Sequence, residues 1–206
     1  MNIAKLKSKF AHIKQARPDK ALGMWEAAVL LTLVDTAQGL SVLFEVRSSQ
    51  LAWQPGDICF PGGRVESMDV SPLATAQRET CEELHLALEQ VEVIAPLPYF
   101  YTQSGIVLYP YLGAIADLSK VQEDKAEVAE LFTIPLSVLF TLKPRQSAVT
   151  IASRPQEDFP YELVPSYQKN WRQLRVYQMY FYTYENKVIW GMTARVLHNF
   201  LEQLKK

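Results

Sequence analysis

Apolar residues run almost unbroken from Ala27 to Val34, and a second apolar stretch follows from Ser41 to Arg47. Runs this short and dense predict buried strands. The link between them, DTAQGL, carries Asp35 and Gly39, so the pair predicts a hairpin. Asp57 to Phe60 predicts a short strand that enters the turn Pro61-Gly62-Gly63, and Pro72 to Leu84 predicts a helix. Val91 to Pro96 and Ile106 to Ala116 read as strands, separated by a loop rich in Tyr, Phe and Pro. Glu127 to Phe140 is expected to form short helical pieces broken by Pro135. Residues 142 to 170 hold four prolines and no clean period, which predicts a long ordered loop or a small subdomain. Val176 to Tyr184 alternates like a strand, and Val188 to Lys205 predicts a closing helix with Ile189, Met192, Val196 and Phe200 inward.

Near the start, Ile3, Leu6, Phe10 and Ile13 recur at helical spacing among five Lys and one Arg. Residues 1 to 24 are therefore expected to form an amphipathic helix packed on a single domain spanning 25 to 206. A membrane-surface helix, an import peptide, a lid and a homodimer contact are the other uses of such a stripe. Import peptides favour Arg and Ser, and this segment favours Lys. The mixture of strands and helices argues for an α/β or α+β sandwich rather than a bundle or barrel.

Composition narrows the function classes. Over 206 residues, Lys+Arg at 21 against Asp+Glu at 22 gives a net charge of −1. No global field is available to hold nucleic acid or an anionic membrane, so neither is expected as a partner. The two cysteines, Cys59 and Cys81, fit neither a disulfide framework nor a zinc spacing, and both read as small buried hydrophobes. Two free thiols fit a reducing, cytoplasmic setting.

The chemistry concentrates between Phe60 and Leu84. On the predicted helix, Glu79 and Glu83 lie about 40° apart in projection, and Glu82 lies about 60° to the other side of Glu79. These carboxylates share one arc, while Leu73, Thr80, Cys81 and Leu84 are expected on the face that packs on a sheet. Like charges on adjacent turns repel, and a divalent cation reverses the sign of that term. Hard oxygen ligands on a rigid element suit Mg²⁺ or Mn²⁺, with water and substrate phosphate filling the remaining positions. The glycines just upstream permit positive φ and close approach of backbone to a ligand.

These residues resemble the Nudix box, a pattern of Gly, five residues, Glu, seven residues, then Arg-Glu-apolar-x-Glu-Glu-x-Gly-apolar. Gly63 opens it, Asp69 takes the place of the first Glu, and eight residues then lead to Arg78, Glu79, Glu82 and Glu83. His85 stands where the closing Gly is usual, and His is among the residues enriched at positive φ. FPGGxxExxD with a longer spacer is similar to the coenzyme A pyrophosphatase branch of that family, and Glu66 and Asp69 fit it. The upstream stretch FEVRSSQLAWQPGDICFPGG matches the branch at Arg47, Ser48, Leu51 and Gly56, with Gln54 where His is usual. LPYFYTQSGIVLYPYLG and IWGMTARVLHNFL are also similar to later segments of that branch.

The resemblance implies an α/β/α sandwich with a mixed β-sheet and an enzyme of the Nudix hydrolase class. Its reaction would be metal-dependent hydrolysis of a phosphoanhydride in a nucleoside diphosphate linked to X. Coenzyme A, cleaved to 3′,5′-ADP and 4′-phosphopantetheine, is the leading substrate. ADP-ribose or NADH is the alternative, and a nucleotide-binding module without turnover is a third. Glu79 and Glu83 are expected to hold the metal, with Glu82 a third ligand or a partner through water. The proton acceptor is expected at Glu82 or Glu79, with Glu127 the candidate outside the box. Arg78 is expected to lock the loop to the helix through Asp69 or Glu66. Arg47 and Arg64 are expected on a substrate phosphate beside Gly63. Tyr99, Phe100 and Tyr101 are candidates for stacking on adenine or lining the pantetheine channel.

Overall fold

A computed structural model describes residues 23–205, so the amphipathic segment of the first 24 residues lies, but for its last two, outside the described residues. In chain order the strands β1 (Trp25–Thr36), β2 (Gly39–Arg47), β3 (Ile58–Cys59) and β4 (Gly62–Arg64) lead into helix α1 (Pro72–Glu83). Then come β5 (Val91–Pro96), β6 (Phe100–Tyr101), β7 (Ile106–Ile115) and β8 (Val128–Pro135), followed by the short helix α2 (Leu136–Leu139). The chain continues with β9 (Arg145–Ser153), β10 (Arg172–Tyr184), β11 (Lys187–Ile189) and helix α3 (Gly191–Leu204).

β1 is the axis of the molecule. It pairs antiparallel with β2 and β4 and parallel with β7, which makes the main sheet mixed. Both of its faces are covered, which is why it reads as a continuous apolar run instead of an alternation. Its neighbours build the order β3-β2-β1-β7-β5, with β8 beside β2 and β6 beside β7. Leu31, Phe44 and Phe60 pack on one face with Val196, Leu197 and Phe200 of α3. Leu30, Val34 and Leu43 pack on the other face with Leu84 and Leu86 at the end of α1. The result is an α/β fold with helices on both faces of a mixed sheet, as the sequence implies. Phe44 stacks on Phe60 and Phe132 at centroid distances of 5.1 and 5.4 Å, contacts worth about 0.5–1.5 kcal/mol each beyond the area they bury.

Three sequence expectations are corrected. Val128–Pro135 is not helical: it pairs with β2 from Ser41↔Pro135 to Arg47↔Val128, and only Leu136–Leu139 turns helical after Pro135. Pairing to a buried strand outweighs the local helix preference of AEL. Residues 142 to 170 are not simply a loop, because Arg145–Ser153 forms a long antiparallel ribbon with β10. The closing helix also starts later than expected, after Lys187–Ile189 forms β11 with β10. Among the described residues, no helix is long and apolar enough to cross a membrane.

Candidate active site

Helix α1 is built to present its carboxylates at a fixed height. Ser71 caps its start, its Oγ accepting from Ala74 N–H at 3.2 Å, and Pro72 occupies the first turn where no N–H is needed. At the far end His85 adopts φ +49°, with Leu86 N–H bonded to Cys81 O at 2.9 Å and His85 N–H to Glu82 O at 3.4 Å. That is a Schellman closure, with histidine in the left-handed position usually given to glycine.

Asp69 locks the preceding loop to this helix. Its carboxylate accepts from Glu66 N–H at 2.9 Å, Thr75 Oγ1 at 2.8 Å, and Arg78 Nε and Nη2 at 3.0 and 3.1 Å. The Arg78 guanidinium holds the Asp69 carboxyl well below the usual carboxylate range. Of the two acids expected to pair with Arg78, Asp69 takes its side chain, whereas Glu66 contributes its backbone N–H to Asp69. Arg78 also reaches Glu79 Oε1 at 2.8 Å and Glu82 Oε2 at 2.9 Å. One guanidinium thus binds three carboxylates.

The acidic arc is divided by the structure. Glu83 is 4% exposed and lies on the buried side of α1 with Thr75, Ala76 and Thr80, a side where the sequence places Thr80 but not Glu83. Its Oε2 accepts from Gly62 N–H at 2.8 Å. The Glu79 carboxylate lies against Gly63: a Cβ added there would fall 2.4 Å from Glu79 Cδ. Gly62, at φ +147°, is held more tightly, since its Cβ would fall 2.3 Å from the backbone oxygen of Ala28 and not against a side chain that can turn. Glu82 instead faces solvent, its side chain 59% exposed and held by Arg78. Glycine at 63 therefore lets Glu79 close onto the turn, and glycine at 62 lets β4 lie against β1, which sets the Gly62 N–H that Glu83 accepts.

The electrostatics match a site crowded with negative charge. Burial pushes the Glu83 carboxyl well up, and the charges of Glu45, Glu79 and Glu127 add to this against the opposing Gly62 N–H. Burial also raises Glu79, opposed mainly by Arg78. Glu127 is brought near by its loop: Asp124 N–H bonds Glu83 O at 2.9 Å and Ser48 N–H bonds Glu127 O at 2.7 Å. Glu45, on β2, is a buried acid that the sequence analysis did not single out. Its carboxyl is pushed up to about 8, first by burial. An acid within the apolar run SVLFEV was the signal that could have found it.

A divalent cation fits this donor set. Glu79, Glu83, Glu45 and Glu127 offer hard oxygens, the charge of Glu127 raises the carboxyls of the other three, and the buried Glu45 Oε1 has no hydrogen-bond partner. Among the described residues, no three acid, His or Cys side chains already converge at ligand spacing. Glu79 would first have to turn from Arg78.

Beyond the glycine turn lies a cavity of about 310 Å³. Trp25, Trp53, Trp190 and Met192 give it apolar walls, and Arg47, Arg64 and Gly63 also line it. Arg47 Nε donates to Trp53 O at 3.2 Å, and the Arg64 guanidinium lies 5.4 Å from the Trp25 ring. A second cavity of about 330 Å³ shares Gln54, Trp190 and Met192 with the first and includes Phe100 and Tyr101. Tyr99 instead stacks on Tyr109. Trp25 and Trp53 are cavity residues that the sequence did not single out, and Trp190, which with Met192 reads as core in the sequence, lines the cavity instead, because nothing local separates a cavity tryptophan from a core one. Cys59 and Cys81 are free thiols, both half-buried.

Comparison with known proteins agrees with this geometry. The NUDIX domain profile matches residues 24–152. A protein described as uncharacterized Nudix hydrolase NudL, from Enterobacter sp. (strain 638), is 32% identical over 197 residues, 96% of this chain and 92% of that protein. The peroxisomal coenzyme A diphosphatase NUDT7 of Mus musculus is 38% identical over 110 residues, 53% of this chain and 46% of its own. The crystal structure of a MutT/nudix family protein from Enterococcus faecalis aligns with 100% of this chain and 71% of its own, at a TM-score of 0.54 and 15% identity, a likeness of fold alone. The chain belongs to the Nudix hydrolase family.

Proposed function

We propose that this hydrolase cleaves the diphosphate of coenzyme A, releasing 3′,5′-ADP and 4′-phosphopantetheine, with Mg²⁺ or Mn²⁺ held by Glu79 and Glu83. The observation that carries the reading is the join of two unlike spaces at Gly62–Gly63. Acids gather on the α1 side, and a tryptophan-lined cavity with Arg47 and Arg64 lies on the other. An apolar cavity suits the pantetheine arm, with its methyl groups and thiol, better than the second ribose of ADP-ribose, whose hydroxyls would need polar partners. The partial match to the mouse coenzyme A diphosphatase supports the same choice.

Arg47 and Arg64 bind phosphate oxygens, where the planar guanidinium can engage two at once. A bound Mg²⁺ or Mn²⁺ supplies charge neutralisation of the diphosphate and a more acidic water. The water oxygen attacks phosphorus, the anhydride P–O bond breaks, and the departing phosphate keeps the bonding pair. Glu79 takes the water proton, since its carboxyl lies at the glycine turn and is raised by burial, whereas Glu82 faces solvent. A positioned base contributes typically about 10²- to 10⁴-fold. Asp69 and Arg78 hold α1 in register with the turn, and Gly62 N–H orients Glu83.

The test is a substrate panel of coenzyme A, ADP-ribose and NADH with Mg²⁺ or Mn²⁺, repeated with chelator. Coenzyme A cleaved well above the others, and only with metal, is expected. Equal or faster cleavage of ADP-ribose overturns the substrate choice. Glu83→Gln should lower turnover by about 10²-fold or more with an unchanged circular dichroism spectrum; near-normal rates would remove Glu83 from the ligand set.

A further inference from the structure

The chemistry proposed above makes no use of Glu45, the one acid of β2. Strand alternation decides where it points. Val42 and Phe44 pack on the α3 face of the sheet, and Leu43 packs on the α1 face. Glu45 shares the parity of Leu43, so it projects toward α1. Its ladder partners agree: Cys59 lies opposite on β3 and Leu131 opposite on β8, and Leu131 packs with the α1-side cluster. Glu83 is the buried acid of α1 on that same side.

Glu45 is 1% exposed. Its Oε2 accepts from Cys59 Sγ at 3.8 Å, while Oε1 is, among the described residues, the one fully buried side-chain oxygen or nitrogen without a partner. A buried carboxylate oxygen left unpaired is costly, and folded proteins keep such an atom where something else meets it. No side chain nearby supplies that partner. Arg47, two residues on in β2, follows a bulge in the β2–β8 ladder; its charge favours the Glu45 carboxylate, but its Nε donates to Trp53 O and Oε1 stays unpaired. The charges facing Glu45 from neighbouring elements are Glu83 of α1 and Glu127 of the loop before β8. Both are acids.

We propose that Glu45 is a further carboxylate of the divalent-cation site, its free Oε1 holding the ion beside Glu83, directly or through a water. The proposal rests on the assignment of Glu79 and Glu83 as ligands. It extends the ligand set from the helix into the central sheet, so that the ion ties α1 to β2. Cys59, hydrogen-bonded to the other oxygen, would orient the carboxylate, as a neighbouring donor does for many ligating groups.

Mn²⁺ binding to the full chain without nucleotide, followed by the electron paramagnetic resonance signal of free Mn²⁺, tests this independently of turnover. Glu45→Gln keeps the shape and removes the charge. It is expected to weaken Mn²⁺ binding about 10- to 100-fold while leaving the melting temperature without metal unchanged or higher. Glu45→Asp keeps the charge but withdraws it by one methylene. It is expected to weaken binding roughly tenfold and decides the matter if the Gln variant does not fold. Glu83→Gln is the control for the underlying assignment. If Glu83→Gln loses Mn²⁺ while a folded Glu45 variant binds within twofold of the unaltered protein, Glu45 is only a carboxylic acid partner for Cys59 and the proposal is overturned. If Glu83→Gln itself binds Mn²⁺ normally, the ligand assignment on α1 fails first.

Discussion

The corner between β4 and α1 and the ribbon of β9 and β10 are built on opposite terms. In the corner, Asp69, Arg78, Glu79 and Glu83 each make a named polar contact, and Gly62 has no room for a side chain. In the ribbon, Leu174 and Val176 are 50 and 49% exposed, and Trp171, just before β10, is 65% exposed. Only its lower end is anchored, where Tyr182 is buried and its hydroxyl meets His198 Nδ1 at 3.0 Å on α3. A corner so constrained admits few residues at each position. A ribbon largely open to solvent admits many.

The largest effect expected from this contrast is at Gly62. Gly62→Ala places a methyl 2.3 Å from the backbone oxygen of Ala28 at φ +147°, and neither atom can move without breaking the pairing of β4 with β1. A loss of about 3–5 kcal/mol is expected in urea unfolding, from strain at positive φ and overpacking together. A loss below 1 kcal/mol would mean that the corner yields as easily as the ribbon.

The difference between the two regions also explains what the sequence disclosed. The glycine turn, the capped helix and the acids of α1 were legible because each answers a local need: a positive φ, an orphan N–H, a charge seeking its partner. The hairpin of β1 and β2 was legible as two apolar runs joined by a turn. β8 was not, because the helix propensity of its residues is local and the strand that overrules it, β2, lies some eighty residues away in the chain. β9 escaped for a different reason: its first four residues are exposed, and the alternation that remains, from Val149 to Ser153, is too short to stand out. The division of the acidic arc was hidden as well, since projection on a helical wheel gives relative angles but not which side meets the sheet. Glu45 lay in plain view as an acid inside an apolar strand and became meaningful only once Glu83 stood across from it.

A smaller effect, with a pH signature, is expected at Asp69. Its carboxyl is held below the ordinary value of 3.8 by Arg78, so the folded state binds fewer protons than the unfolded chain in that range. The stability it contributes is complete above the unfolded value and is lost as pH falls through the lower folded one. Asp69→Asn should cost about 2 kcal/mol at neutral pH, the scale of hydrogen bonds to a charged partner. The gap between the two proteins should narrow below about pH 4. A gap that stays constant to pH 2 would show that Asp69 acts through shape rather than charge.

The smallest effect belongs to the ribbon. Leu174 is half exposed on β10, and Leu174→Thr keeps a residue suited to a strand. Stability should change by less than about 0.5 kcal/mol in urea unfolding, the range of surface substitutions away from special contacts. That outcome keeps the contrast between a fixed corner and a permissive ribbon. A loss above 1 kcal/mol, growing with protein concentration, would mean instead that the ribbon is covered in solution by another copy of the chain, since an apolar contact between copies deepens with mass action and an exposed side chain does not.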